Sequence, residues 1–274
     1  MTIKLVALDM DGTFLNDQNT YNHQRFAEIL GKLRAKNIHV VSASGSQYQR
    51  LQDKFADFQD QMDFVSQNGA VVYSQGDPVL IQAMPEEAVT KTLGAIKEQF
   101  DETDIAEHLV VGVKSAYVDL GISKAAYDLT YYYYNHLKKV PSLSTVTPTR
   151  LKDQITSIGV TFGDQVNFDE KIGILQSLLP AGLSSQTTGF NTQLISEQTV
   201  NKAAGLRQLQ DRYNIANDEI MTFGDDENDI SMLELTPHGY AMKNAKDKVK
   251  AAAKNETDTN NEEGVLNVLE NLVS

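Results

Sequence analysis

The sequence predicts an α/β protein, a parallel sheet interleaved with helices and interrupted by an inserted α+β domain. Three observations carry this. The apolar tetrads Leu5-Val6-Ala7-Leu8 and Ile220-Met221-Thr222-Phe223 read as strands buried on both faces. Such runs alternate with segments whose apolar residues recur at helical spacing, the βαβ pattern of a parallel sheet. Residues 84–190 keep their own mix of helices and strands, with no strand ending in acids as the two tetrads do.

The first tetrad runs into Asp9-Met10-Asp11-Gly12-Thr13. Side chains alternate along an extended chain, so Asp9 and Asp11 are expected on roughly the same side, and Gly12 allows a sharp turn close to a ligand. Two carboxylates held together are tolerable with a cation between them or a shared proton. An ordinary Asp-Gly turn is the plain alternative. A calcium loop counted from Asp9 fails, because Phe14 stands where its glycine is needed and Thr20 where its final glutamate is needed. The turn reading is weakened by the second tetrad, which also ends in acids, Gly224-Asp225-Asp226-Glu227-Asn228-Asp229.

Phe26, Ile29, Leu30 and Leu33 give the first helix its apolar face, and Ile38-His39-Val40-Val41 gives the next strand. It ends at Ser42-Ala43-Ser44-Gly45-Ser46, at the same sheet edge as Asp9, where hydroxyls and free N–H groups suit a phosphate. Tyr48, Leu51 and Phe55 mark a helix and Phe64-Val65 a third core strand. Asn68-Gly69 then turns into Ala70-Val71-Val72-Tyr73, and Val79-Leu80-Ile81 pairs back as a hairpin. The inserted domain opens on Pro85, Glu86 and Glu87, suited to a helix N-terminus, followed by Val89, Leu93, Ile96 and Phe100. A strand over Leu109–Val113, a helix capped by Ser123, a half-buried strand over Ile155–Phe162 and a helix bearing Phe168, Ile172, Leu175 and Leu178 complete it. The core is expected to resume at Gln193-Leu194-Ile195, giving a core of 1–83 with 191–274 around an insertion of 84–190. After it come a helix from Asn201 to Tyr213, the acid-ended strand, Ile230 and Leu233 on a helix, a strand over Gly239–Met242, and a last helix bearing Leu266, Leu269 and Val273.

Composition narrows the function. A formal net charge of −13 argues against a nucleic-acid or anionic-membrane surface, and the absence of cysteine excludes thiolate zinc sites and cysteine nucleophiles. No apolar run is long enough to span a bilayer and no signal-peptide core precedes the first strand, so a cytoplasmic location is expected. The oligomeric state is left open. The five histidines show no ligand spacing, and the run Tyr131-Tyr132-Tyr133-Tyr134 covers every face of its helix.

Lys202 stands near the start of its helix, where the dipole disfavours a cation unless an anion lies opposite. With acids after two strands and a hydroxyl-glycine turn after a third, it completes an inventory for phosphoryl transfer: nucleophile, acid/base, divalent-cation ligands and charge-neutralising donors. These motifs resemble the haloacid dehalogenase superfamily, and within it the Cof-like phosphatases with a large inserted α/β cap, known as type IIB. Asp9 to Thr13 match its Asp-x-Asp-Gly-Thr, Ser44-Gly45 its second motif, Lys202 its lysine motif, and Gly224 to Asp229 its Gly-Asp-x-x-Asn-Asp. Ala241 to Ala245 and Asn261 to Val265 are similar to that subgroup's endings.

The resemblance implies a Rossmann-like core and a Mg²⁺-dependent phosphatase of small phosphorylated metabolites such as sugar phosphates. It implies that Asp9 forms an aspartyl phosphate while Asp11 protonates the leaving oxygen and then activates water. It gives Mg²⁺ to Asp9, the Asp11 carbonyl, Asp225 and Asp229, and the phosphoryl group to Ser44, Gly45 and Lys202, with Asn68 and Asn228 nearby. A sugar phosphomutase and a non-catalytic phosphometabolite sensor are the alternatives. Two departures stand out: Ser46 replaces the arginine that often follows Gly45, so a cationic contact is missing or comes from elsewhere, and Ala203-Ala204 separate Lys202 from Gly205.

Overall fold

In the computed structural model, which describes residues 2–101, 103–163, 167–188 and 191–274, Leu5, Val6, Ala7 and Leu8 are wholly enclosed as strand β1 (Leu5–Leu8). The strands that follow are β2 (His39–Ala43), β3 (Asp63–Ser66), β4 (Val71–Ser74) and β5 (Asp77–Ile81). Next come β6 (Ile105–Gly112), β7 (Ala116–Asp119), β8 (Leu137–Val140), β9 (Ile155–Phe162), β10 (Leu183–Thr188) and β11 (Thr192–Glu197). The last are β12 (Ile220–Gly224), β13 (His238–Met242) and β14 (Asn255–Thr257).

Among the described residues these strands form two sheets, ordered β14-β13-β12-β1-β2-β3-β4-β5 and β10-β11-β9-β6-β7-β8. In the first, neighbours from β14 to β3 pair in parallel, and β4 returns antiparallel to β3. The chain leaves β1 toward β2 on one side and later occupies β12 on the other. Strand order therefore reverses at β1, and a parallel sheet opens a crevice at the carboxyl ends of its strands there.

Both faces of β1 are covered, which explains its unbroken apolar sequence. Val6 and Leu8 pack on one side with Phe26, Ile29, Leu30 and Leu33 of the helix His23–Ala35, which Asn22 caps by accepting from the Arg25 N–H. Each of those helix side chains contributes about 1.5–3 kcal/mol by leaving water. On the other side Leu5 and Ala7 pack with Leu206 and Leu209 of the helix Lys202–Tyr213.

The chain divides into two compact units, Met1–Leu80 with Asn201–Ser274, and Ile81–Val200. Sequence reading resumes the core at Gln193-Leu194-Ile195; instead these residues lie in β11, antiparallel to β9 and β10, and the first unit resumes at Asn201. A short apolar alternation identifies a strand without naming its neighbours, which tertiary packing selects. Phe190, the expected end of the insertion, lies outside the described residues.

Within the second unit the expected strand Ile155–Phe162 is β9, but it is buried along nearly its whole length rather than on one face. Its central place between β11 and β6 is the reason. The helices Glu86–Gln99 and Phe168–Leu178 cover one side through Val89, Leu93, Ile96 and Leu175. Tyr131 and Tyr132, on the helix Lys124–Tyr133, remain half exposed. Among the described residues no helix is long and apolar enough to cross a membrane.

Candidate active site

Asp9 is the first residue past β1, and its N–H still donates to the Phe223 carbonyl of β12. Its buried side chain meets Lys202, the first residue of the helix Lys202–Tyr213, which Asn201 caps by accepting from the Ala204 N–H. The Lys202 ammonium is fully enclosed and donates to Asp9 Oδ1 at 2.5 Å and Asp229 Oδ1 at 2.6 Å. Burial alone would lower its pKa, yet Asp229 and Asp9 beside it hold it above the ordinary lysine value. The same carboxylates offset the helix dipole, the anion opposite Lys202 that its position calls for.

Asp229 is fixed from its other oxygen, which accepts from the backbone N–H groups of Asp225 at 2.9 Å and Asp226 at 3.0 Å. Asp225 Oδ1 accepts from the Thr13 hydroxyl at 2.6 Å, tying the first motif to the fourth. Gly12, at φ +80, is required at this join, since a Cβ there would stand 2.4 Å from Asp225 Oδ2.

Asp9, Asp225 and Asp229 each offer an oxygen, all within 4.8 Å of one another. Burial, reinforced by Asp229, pushes the Asp9 carboxyl well above the usual range. Asp225 is pushed up to about 6, mainly by burial, with the Thr13 hydrogen bond opposing and Asp229 adding. Three ionised carboxylates facing one ammonium leave two negative charges in a poorly solvated space. The donor set is entirely hard oxygen, so the residues present fit a divalent cation of the Mg²⁺ kind.

The turn after β2 and the turn after β3 interlock beside this cluster. Ser44 is buried, with its N–H on the Val65 carbonyl at 2.8 Å and its hydroxyl accepting from the Ser46 N–H at 3.1 Å. Asn68, in left-handed conformation at φ 55, donates its N–H to the Ser44 carbonyl and accepts from Asn228 Nδ2 at 3.0 Å. Gly45 borders that amide, where a Cβ would come within 3.2 Å of Asn68 Oδ1. Asn228 thus braces Asn68.

Gly205 also explains the spacing after Lys202. A Cβ on Gly205 would lie 3.0 Å from the Gly69 Cα, and one on Gly69 would lie 2.2 Å from the Asn201 carbonyl oxygen. The glycine is needed where the helix crosses the Asn68-Gly69 turn, one turn beyond the lysine.

Asp11 departs from expectation. It lies past the strand, in an isolated bridge with Leu15, so strand alternation does not place it beside Asp9. Its carboxylate, 39% exposed, accepts from both terminal nitrogens of Arg50, at 2.8 and 2.7 Å. Arg50, on the helix Tyr48–Lys54, also donates to Ser46 Oγ at 2.5 Å. Sequence reasoning passed over this arginine. The signal was available: Arg50 follows Ser46 by four residues, one helical turn, so its side chain can reach back to the place the arginine of the second motif usually holds.

A family model for haloacid dehalogenase-like hydrolases matches residues 6–269. The 5-amino-6-(5-phospho-D-ribitylamino)uracil phosphatase YbjI of Escherichia coli K12 is 34% identical over 273 residues, spanning 100% of this chain and 97% of that protein. The crystal structure of SMU.1108c from Streptococcus mutans UA159 superposes with a TM-score of 0.89 at 30% identity, covering 98% of each chain. That of the subclass IIB sugar phosphatase BT4131 gives 0.78 at 20% identity over 98% of each, a likeness of fold.

Proposed function

The chain belongs to the haloacid dehalogenase-like hydrolases, among their Cof-like phosphatases, and on that premise we propose that it cleaves small phosphate monoesters through an aspartyl phosphate on Asp9. The observation that carries this reading is the group of buried Asp9, Asp229 and Lys202 with half-buried Asp225 at the carboxyl ends of adjacent parallel strands.

An Asp9 oxygen attacks phosphorus, and the ester oxygen departs with a proton from the Asp11 carboxyl. Asp11, now a carboxylate, takes a proton from water as that water attacks the phosphorus of the acyl phosphate, releasing inorganic phosphate and restoring Asp9. Lys202 and the Ser44-Gly45 turn supply donors to the phosphoryl oxygens, with Asn68 and Asn228 bracing that turn. Asp9, Asp225, Asp229 and the Asp11 carbonyl would hold Mg²⁺, which when bound neutralises charge that develops on the phosphoryl oxygens.

The substrate class we propose is a phosphorylated sugar or sugar alcohol. The E. coli relative is named for a phosphorylated ribitylamino-uracil, an ester of this kind, and that compound is the first to test. Phosphate release should be measured across a panel of metabolite esters with Mg²⁺ and with excess chelator. Activity should vanish with chelator and return with Mg²⁺; undiminished turnover in chelator would end the metal role. Transfer of the phosphoryl group to a sugar would mark a mutase, and binding without turnover a sensor.

A further inference from the structure

Arg50 is a buried cation that bonds residues of the first two motifs, Asp11 and Ser46. It is 4% exposed. Its two terminal nitrogens grip the two Asp11 oxygens, one also bonds Ser46 Oγ, and the other reaches Asn19 Oδ1 at 3.4 Å. One turn further along the same helix, Lys54 donates to the Asn19 carbonyl at 2.7 Å, so helix and turn are tied at two points. A two-point bond to a planar guanidinium fixes both the position and the plane of a carboxylate, which a single ammonium contact does not. Asp11 needs such an anchor, because it stands outside the sheet with its carboxylate partly in solvent.

We infer that Arg50 is a positioning residue for Asp11, filling from one helical turn away the place that Ser46 leaves open, so that the Asp11 carboxyl lies where it can serve the leaving oxygen. The inference rests on the reading of Asp11 as the group that handles the leaving-group proton. Ser46 is part of the device: its hydroxyl braces the guanidinium, and its small size leaves room for the side chain that reaches back over it.

The experiment compares an alkyl phosphate, whose alkoxide needs a proton to depart, with p-nitrophenyl phosphate, whose phenolate does not. Asp11→Asn, Arg50→Met, Arg50→Lys and Ser46→Ala are measured in the full chain for kcat, KM and inhibition by inorganic phosphate. Arg50→Met should lower kcat for the alkyl ester about 10–10²-fold, the scale of a misplaced catalytic group, and leave the aryl ester, KM and phosphate inhibition nearly unchanged. Arg50→Lys should rescue little, because it keeps the charge and loses the fork. Ser46→Ala should err in the same direction by less, and keeps the test open if Arg50→Met does not fold. Combined with Asp11→Asn, Arg50→Met should add almost nothing, as expected of residues acting as a unit. The inference is overturned if both esters suffer equally in the Arg50 variants. It also fails if KM and phosphate inhibition weaken with kcat intact, which would make Arg50 a phosphate ligand, or if Arg50→Lys is fully active. If Asp11→Asn itself shows no preference between the esters, the assigned role of Asp11 fails and the inference with it; selectivity in Asp11→Asn without selectivity in the Arg50 variants defeats the inference alone.

Discussion

Asp9 and Asp11 are two residues apart in the chain, yet Asp9 is buried at 7% exposure against Lys202 among two further carboxylates, whereas Asp11 is partly in solvent and held by Arg50. The difference follows from where regular structure stops. Asp9 still shares the β1–β12 ladder through its N–H, so the sheet delivers it into the crevice. Asp11 comes after the chain has left the ladder, and its place is set by a side chain from the next helix. A nucleophile with a fixed line of attack suits the first circumstance; a group that must meet leaving oxygens and water in turn suits the second.

The largest effects separate the two carboxylates. Asp9→Asn should remove turnover by on the order of 10⁶-fold, as loss of other covalent nucleophiles does. Because an amide also relieves repulsion from Asp229 and Asp225, the metal-free variant should melt no lower than the parent. Asp11→Asn should cost about 10²–10⁴-fold with alkyl esters, the worth of general acid/base help. Equal losses in the two variants, or an unfolded Asp9→Asn, would erase the contrast.

Lys202→Met sharpens it from the other side. Removing the one ammonium leaves the Asp9 and Asp229 charges buried without a partner, a change that typically costs about 3–5 kcal/mol, and activity should fall about 10²–10³-fold with the lost phosphoryl donor. Added Mg²⁺ should recover part of the stability and little of the activity. Thermal melts with and without the ion decide this; an unchanged melting temperature in chelator would mean that the cluster is less enclosed than its geometry states.

Much of the Asp9 side was legible in the sequence, and little of the Asp11 side was. The tetrads Leu5–Leu8 and Ile220–Phe223 announce buried strands, and strand ends in a parallel sheet converge, so Asp9, Ser44, Asp225 and Asp229 could be brought together from order alone. Lys202 was legible through its company: a cation in a first helical turn calls for an anion, and the acid-ended strands and the hydroxyl-glycine turn supplied the rest of the inventory. Arg50 was legible only in part: its four-residue step from Ser46 shows that it can reach back, but an arginine inside an exposed-looking Gln-Tyr-Gln-Arg-Leu-Gln stretch carries no sign of burial, and the path of residues 9 to 20 decides what it meets. Gln193-Leu194-Ile195 failed for a related reason: the pattern shows a strand, while its partners in β9 and β10 are fixed by packing.

The smallest effect tests whether the Asp9 cluster is strained without a cation. Asp225 titrates in the folded protein at about 6, against about 3.9 for an unfolded aspartate. A carboxyl raised in this way binds more protons folded than unfolded, so the stability it allows is complete below about pH 4 and is lost as pH climbs toward about 6. Asp225→Asn keeps an oxygen for the Thr13 hydroxyl and has nothing to ionise. In chelator, therefore, the melting temperature of the variant relative to the parent should rise between about pH 4 and pH 6 and then level off. The shift corresponds to at most about 2 kcal/mol, reduced because the carboxylate is not fully enclosed, or a few degrees at about 2–4 °C per kcal/mol for a chain of this size. Comparing variant with parent cancels the titrating groups remote from Asp225, Asp63 among them, which burial also raises, whereas Asp9, which Asp225 itself helps to raise, titrates together with it and belongs to the same difference. Mg²⁺ favours the ionised parent and should stabilise it increasingly over the same interval, while the amide variant gains less. A difference that is flat with pH, or largest at pH 4, would show that Asp225 is solvated well enough to ionise normally and that the cluster does not by itself call for a cation.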